Sequence, residues 1–87
     1  MINTSVTIID KIGFHVRTAS MFSKIAGEFT SKIEVNFNEK KVNGKSTLAL
    51  MTLGVKNNNT INISVSGEDE ENALQRLKKL VEENFNQ

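Results

Sequence analysis

The only histidine of this 87-residue chain, His15, lies two residues before Arg17, in the stretch KIGFHVRTASMF at residues 11–22. Imidazole is a good nucleophile near neutral pH and can carry a phosphoryl group covalently. A guanidinium group offers a planar fork of donors that suits phosphate oxygens. The spacing of the two side chains therefore indicates a site for a phosphate.

The element that follows supports this interpretation. From Val16 onward, apolar residues recur at steps of three and four, which predicts an amphipathic helix. His15 would precede its first turn, where unpaired backbone N–H groups form an anion site. Gly13 permits a tight turn just before the histidine. A lone histidine usually has no special role, but these features favour a phosphohistidine that carries the group rather than hydrolysing it.

Strand and helix patterns alternate along the rest of the chain. Alternating apolar residues predict strands near residues 6–8 and at 33–37, 40–43 and 60–66. Helical spacings predict helices from Val16 to about Gly27, from a Ser46 cap to about Gly54, and from an Asp69 cap onward. The order βαββαβα predicts an α+β fold with three helices on one face of four strands. We expect residues 1–87 to form one domain, because the chain is too short for a second core.

The composition argues against several classes of function. Eleven basic and ten acidic residues provide no strong field for nucleic acid. Without cysteine there is no thiolate metal site, and one histidine argues against a zinc site. No apolar run approaches the roughly 18 residues that span a bilayer, and the first residues lack the pattern of a signal peptide. We therefore expect a cytoplasmic protein without membrane insertion, metal or cofactor.

Three segments carry a resemblance to a known family. GFHVRTAS, KSTLALMTLG and ISVSGEDEENAL, in this order, resemble the HPr family of phosphocarrier proteins of the bacterial sugar phosphotransferase system. The resemblance extends over essentially the whole chain. It implies an open-faced β-sandwich, in which one face of a four-stranded antiparallel sheet is covered by three helices.

The resemblance also implies the roles of the two site residues. His15 would accept a phosphoryl group on ring Nδ1 from enzyme I, which is itself charged by phosphoenolpyruvate, and Arg17 would contact the phosphate during transfer. The group would then pass to an enzyme IIA domain of a sugar permease. The protein would be a monomeric carrier with a phosphohistidine intermediate, and we leave open whether it should be called an enzyme.

Family members bind both partners through one surface on the first and second helices. In this chain we call it the docking surface and assign to it Val16, Thr18, Ser20, Lys24, Thr47, Leu48 and Met51. Leu50 and Leu53 fit a core-facing stripe, which leaves Leu48 and Met51 on another face of the second helix. Packing of this pair in a satellite of the core is the alternative interpretation.

Ser46 has two possible roles. Capping of the second helix is sufficient by itself, with a contribution of about 1 kcal/mol. In many Gram-positive members the matching serine is the target of HPr kinase/phosphorylase, which would then be a further partner. An Ile-Met pair usually follows that serine, whereas Thr47 and Leu48 follow it here. The motif therefore supports the cap and only weakly the kinase site.

Thr18 departs from the family pattern, which has proline at this position. Proline in the first turn of a helix is pre-organised. We expect threonine to loosen the backbone that aims His15, and to offer a hydroxyl that could reach the phosphate.

Alternative functions remain open. A regulatory member of the family would bind partners without relaying phosphate, although such proteins often lose the histidine that this chain keeps. An RNA-binding domain would need aromatic residues on its central strands, where only Phe37 is available. A small phosphatase would release free phosphate with turnover. We rank the carrier first and the regulator second.

Overall fold

Four strands and three helices follow one another in the computed structural model, which describes residues 1–86; Gln87, the last residue of the predicted domain, lies outside the described residues. The elements are β1 (Ile2–Thr7), α1 (Val16–Ala26), β2 (Lys32–Phe37), β3 (Lys40–Asn43), α2 (Thr47–Met51), β4 (Thr60–Ser66) and α3 (Glu70–Glu82), followed by a 3₁₀ turn at Asn84–Asn86. The predicted βαββαβα order is confirmed. The 3₁₀ turn was not predicted, and α2 ends three residues before Gly54.

The strands form one antiparallel sheet in the order β1-β4-β2-β3. In this register Val6 lies opposite Ile61 and Val35 lies opposite Ile63. Because side chains alternate between the two faces of a strand, these apolar residues share the face that the helices cover. The other face carries a polar ladder, in which Asn36 donates to Asn62. The open-faced sandwich is therefore confirmed.

The helices cover the sheet with narrow apolar stripes. Phe22 of α1, Leu50 of α2 and Leu77 of α3 are fully buried, as the helical spacing predicts. Phe14, which precedes His15, packs its ring edge-on against Phe22. This contact ties the loop before α1 to the core. Within residues 1–86, no helix is long and apolar enough to cross a membrane.

The predicted capping of α3 by Asp69 is wrong in one respect. Asp69 is the N-terminal cap residue, but its side chain makes no capping hydrogen bond. Instead, its carboxylate accepts hydrogen bonds from Thr30 N, at 2.9 Å, and from the backbone N and hydroxyl of Ser31. These donors, the Ser31 hydroxyl first, lower the pKa of Asp69 to about 2. Asp69 therefore joins the start of α3 to the chain just before β2.

Candidate functional site

Asp10 shapes the loop between β1 and α1. Its Oδ2 atom accepts hydrogen bonds from the backbone N–H groups of Ile12, at 3.0 Å, and Gly13, at 3.2 Å. This is the pattern by which aspartate folds a turn onto its own side chain. The carboxylate is buried, with 6% of the residue exposed. Asp10 thus sets the path of the chain that leads to His15.

Gly13 is required at the closest approach of this loop to the rest of the molecule. Its φ is +89°, and a Cβ atom there would lie 2.2 Å from the carbonyl oxygen of Val55. The next residue, Phe14, donates its N–H to that same oxygen at 3.1 Å. The segment before His15 is therefore held against the connection between α2 and β4.

His15 is the N-terminal cap residue of α1, as its predicted position before the helix requires. Its backbone is extended, and its Nδ1 atom accepts a hydrogen bond from Arg17 N at 3.3 Å. On the other side of the ring, Nε2 lies 3.4 Å from Asp10 Oδ2. The side chain is 29% exposed. Nδ1 therefore carries a lone pair directed at the N–H group of Arg17, so that in the neutral ring the proton belongs to Nε2.

The ring borders a shallow depression of about 380 Å³. The residues that line it are Asp10, Lys11, Ile12, His15, Arg17 and Asn84. Lys11 and Arg17 are exposed and bring two positive charges to its rim. A depression with a nucleophilic ring nitrogen, two cations and the N-terminal end of a helix is chemically suited to a phosphoryl group.

Sequence reasoning missed four of the six residues that line this depression, namely Asp10, Lys11, Ile12 and Asn84. A local signal existed for Asp10, because an aspartate three residues before a glycine is typical of a turn. Asn84 lies in the 3₁₀ turn after α3, and its Oδ1 atom is buried without a hydrogen-bond partner within residues 1–86. No local pattern in the sequence predicts that Asn84 lines the same depression as His15, because only the packing of α3 brings the two residues together.

The structure corrects the expectation for Thr18. Its side chain is fully buried, so it does not form part of the exposed docking surface. The hydroxyl donates to Gly13 O at 2.7 Å and accepts from His15 N at 3.1 Å. It is therefore engaged with the backbone rather than free to reach a phosphate. The two bonds tie the helix to the loop. The loosening of the backbone relative to proline stays a prediction.

The other residues assigned to the docking surface lie at the surface or near it. Val16, Leu48 and Met51 are 64%, 73% and 36% exposed, respectively. Lys24 is exposed, whereas Ser20 and Thr47 are half-buried. The predicted separation of faces is confirmed, since Leu50 of α2 and Leu53, two residues after the helix, are buried while Leu48 and Met51 are exposed.

A hydrogen bond joins α1 to α2 within the predicted docking surface. The hydroxyl of Ser23 lies 2.5 Å from that of Thr47, and Ser23 also donates to Ser20 O. Ile12, which sequence reasoning did not assign to the surface, is 66% exposed and lines the depression with His15. Exposed apolar side chains of this kind are typical of a protein-binding surface.

Ser46 caps α2 as predicted. Its Oγ atom accepts a hydrogen bond from Ala49 N at 3.2 Å. The residue is half-buried. The capping interaction accounts for serine at this position, and phosphorylation of Ser46 stays a prediction.

Comparisons with known proteins agree over nearly the full chain. A family model described as the PTS HPr component phosphorylation site matches residues 2–83. The phosphocarrier protein HPr of Neisseria meningitidis serogroup A is 36% identical over 81 residues, which cover 93% of this chain and 91% of that protein.

Solved structures agree as well. The crystal structure of HPr-C-His from Thermoanaerobacter tengcongensis has a TM-score of 0.96 to this chain at 39% identity, with 100% of this chain and 98% of that chain covered. Crh, the catabolite repression protein of Bacillus subtilis, was solved as a dimer with a swapping domain. It has a TM-score of 0.78 and 36% identity, with 100% of both chains covered.

Proposed function

This chain belongs to the HPr family of phosphotransferase system components, and from this premise we propose that it relays a phosphoryl group through His15 in sugar uptake. The donor would be phosphorylated enzyme I, and the acceptors would be enzyme IIA domains of sugar permeases. The protein would act in the cytoplasm as a monomer. It would be a carrier with a covalent intermediate rather than an enzyme with turnover of its own.

The orientation of the His15 ring is the observation that carries this proposal. Nδ1 faces the start of α1, where it accepts from Arg17 N. A phosphoryl group on Nδ1 would bring its oxygens to that same N–H, in the field of the helix dipole. The exposed guanidinium of Arg17 would supply further donors from the rim of the depression.

The transfer step conserves atoms and electrons. The Nδ1 lone pair forms a bond to phosphorus while the bond between phosphorus and the donor atom of enzyme I breaks, and that donor atom keeps the electron pair. His15 retains its Nε2 proton throughout. In the second transfer, a nucleophile of the acceptor forms a bond to phosphorus while the N–P bond of His15 breaks, and the electron pair of that bond returns to Nδ1.

The docking surface supports a relay with two successive partners. Val16, which directly follows His15, gives it exposed apolar area together with Leu48 and Met51, and Lys24 gives it positive charge. One surface for both partners means that donor and acceptor bind in turn, with the histidine at the edge of each interface. HPr kinase/phosphorylase would be a third partner if Ser46 is its target.

Intact-mass measurement tests the relay. The protein is incubated with phosphoenolpyruvate and enzyme I, beside a His15→Ala variant, and an HPr relative known to accept phosphate from that enzyme I serves as the positive control. We expect one phosphoryl group, labile to acid and stable to alkali, that is absent from the variant. An unmodified wild-type protein beside a phosphorylated positive control would refute the proposal.

A regulatory role is the second candidate, and the similarity to Crh favours it. Such a protein would bind its partners without relaying phosphate to sugars. Retention of His15 and Arg17 in a depression suited to phosphate favours the carrier. The same mass measurement separates the two functions, because only the carrier accepts phosphate from enzyme I.

A further inference from the structure

We propose that Asp10 is a positioning residue for phosphoryl transfer: its carboxylate holds the Nε2 proton of His15 and stabilises the positive charge of the phosphorylated ring. This inference rests on the proposed carrier function. It assigns a role to a residue that lies outside the sequence motif around the histidine.

The carboxylate is itself held in place. Oδ2 accepts from the N–H groups of both Ile12 and Gly13, so it cannot turn away from the ring without breaking two hydrogen bonds. The same atom lies 3.4 Å from His15 Nε2. Because Asp10 is buried while His15 is only partly exposed, water screens this contact incompletely.

The two sides of the ring select the same tautomer. A carboxylate next to Nε2 attracts a proton on that nitrogen and repels a lone pair. Arg17 N, on the opposite side, donates to Nδ1 and therefore requires a lone pair there. The nucleophilic atom is thus Nδ1, and the ring needs no change of tautomer before it attacks phosphorus.

Asp10 also offsets the other charges around the site. Lys11 and Arg17 line the depression and favour the incoming phosphate, but they oppose positive charge on the ring. When Nδ1 bonds to phosphorus and Nε2 keeps its proton, the ring becomes an imidazolium. Asp10 carries the only carboxylate among the residues that line the depression within residues 1–86. It is therefore placed to stabilise that cation.

Two variants separate the two parts of the role. In Asp10→Asn, the amide oxygen can take the place of Oδ2 and keep all three contacts, so only the charge is lost. In Asp10→Ala, the contacts are lost as well. Asp69→Asn is the matched control, because Asp69 also binds backbone N–H groups with its carboxylate but is not among the residues that line the depression.

Two measurements on the full chain report on these variants. Nitrogen-15 NMR of the neutral ring gives the tautomer without enzyme I. We expect the Nε2–H form in the wild type, Asp10→Asn and Asp69→Asn, and a mixture of both forms in Asp10→Ala. For phosphoryl transfer from enzyme I, we expect a rate about tenfold lower in Asp10→Asn and lower still in Asp10→Ala, with Asp69→Asn unchanged.

The outcomes are distinguishable. If Asp10→Asn transfers phosphate at the wild-type rate, the charge-stabilising role is overturned while the carrier function stands. An unchanged tautomer in Asp10→Ala overturns the orienting role. If the wild type takes up no phosphate, the carrier function itself fails, and the NMR measurement still decides the orienting role. Should Asp10→Ala not fold, Asp10→Asn alone decides the effect of the charge.

Discussion

Replacement of Thr18 by valine tests how the loop before the histidine is held. Valine has nearly the shape of threonine and the same branching at Cβ, so steric fit and helix propensity change little. The substitution removes one hydroxyl from a fully buried side chain. That hydroxyl donates to Gly13 O at 2.7 Å and accepts from His15 N at 3.1 Å. Both backbone groups lose their partner.

The expected cost follows from the burial of these groups. A buried carbonyl left without its donor costs about 1–3 kcal/mol, and the half-buried N–H of His15 adds about 0.5–1.5 kcal/mol. We therefore expect the free energy of unfolding to fall by about 3 kcal/mol. For a chain of this length this corresponds to a fall in Tm of roughly 12–24 °C. Such a loss is a large part of the roughly 4–13 kcal/mol typical of a protein of this size.

Urea denaturation followed by circular dichroism measures this cost, with Thr18→Ser as the control. Serine keeps the hydroxyl and loses one buried methyl group, which costs about 1 kcal/mol. The serine variant should therefore be clearly more stable than the valine variant. A valine variant as stable as the serine variant would show that the two hydrogen bonds are not what holds the loop.

Three further predictions concern single residues elsewhere. Asp69 has a folded-state pKa of about 2, so its contribution to the free energy of unfolding is complete above about pH 4 and is lost as the pH falls towards 2. Acid titrations of the stability of the wild type and Asp69→Asn should therefore differ in this window, and parallel curves would contradict the prediction. Gly13→Ala places a Cβ atom 2.2 Å from Val55 O in a residue with positive φ, so we expect the free energy of unfolding to fall by about 3 kcal/mol or more in urea denaturation. A fall below about 1 kcal/mol would show that the loop can move away. Ser46→Ala should lower the free energy of unfolding by about 1 kcal/mol because Ala49 N loses its capping acceptor, while Ser46→Asp, which can still cap, should retain most of the stability. Equal losses of the two variants in thermal denaturation would exclude the cap as the reason.

The element order was predictable because it depends on local periodicity. Ile33 and Val35 alternate as a strand requires, and Leu77, Leu80 and Val81 repeat as a helix requires. Each pattern depends on residues a few positions apart. The use of the Asp69 carboxylate was not predictable in the same way, because its donors at Thr30 and Ser31 are 39 and 38 positions away, respectively. Aspartate is suited both to capping a helix locally and to binding distant backbone N–H groups, so the residue type does not distinguish the two uses.

The chemistry of the candidate site follows from residues that are close together in the sequence. His15, Arg17 and the helix that starts at Val16 are neighbours along the chain, so their proximity needs no tertiary contact. The way the His15 ring is held depends instead on tertiary contacts. Gly13 lies against the backbone of Val55, and Asn84 lines the depression, because the packing of α2 and α3 brings these distant residues next to the loop. Even the contacts of Asp10 and Thr18, which are close in sequence, depend on the loop path between them, since a hydrogen bond needs a geometry that composition does not specify.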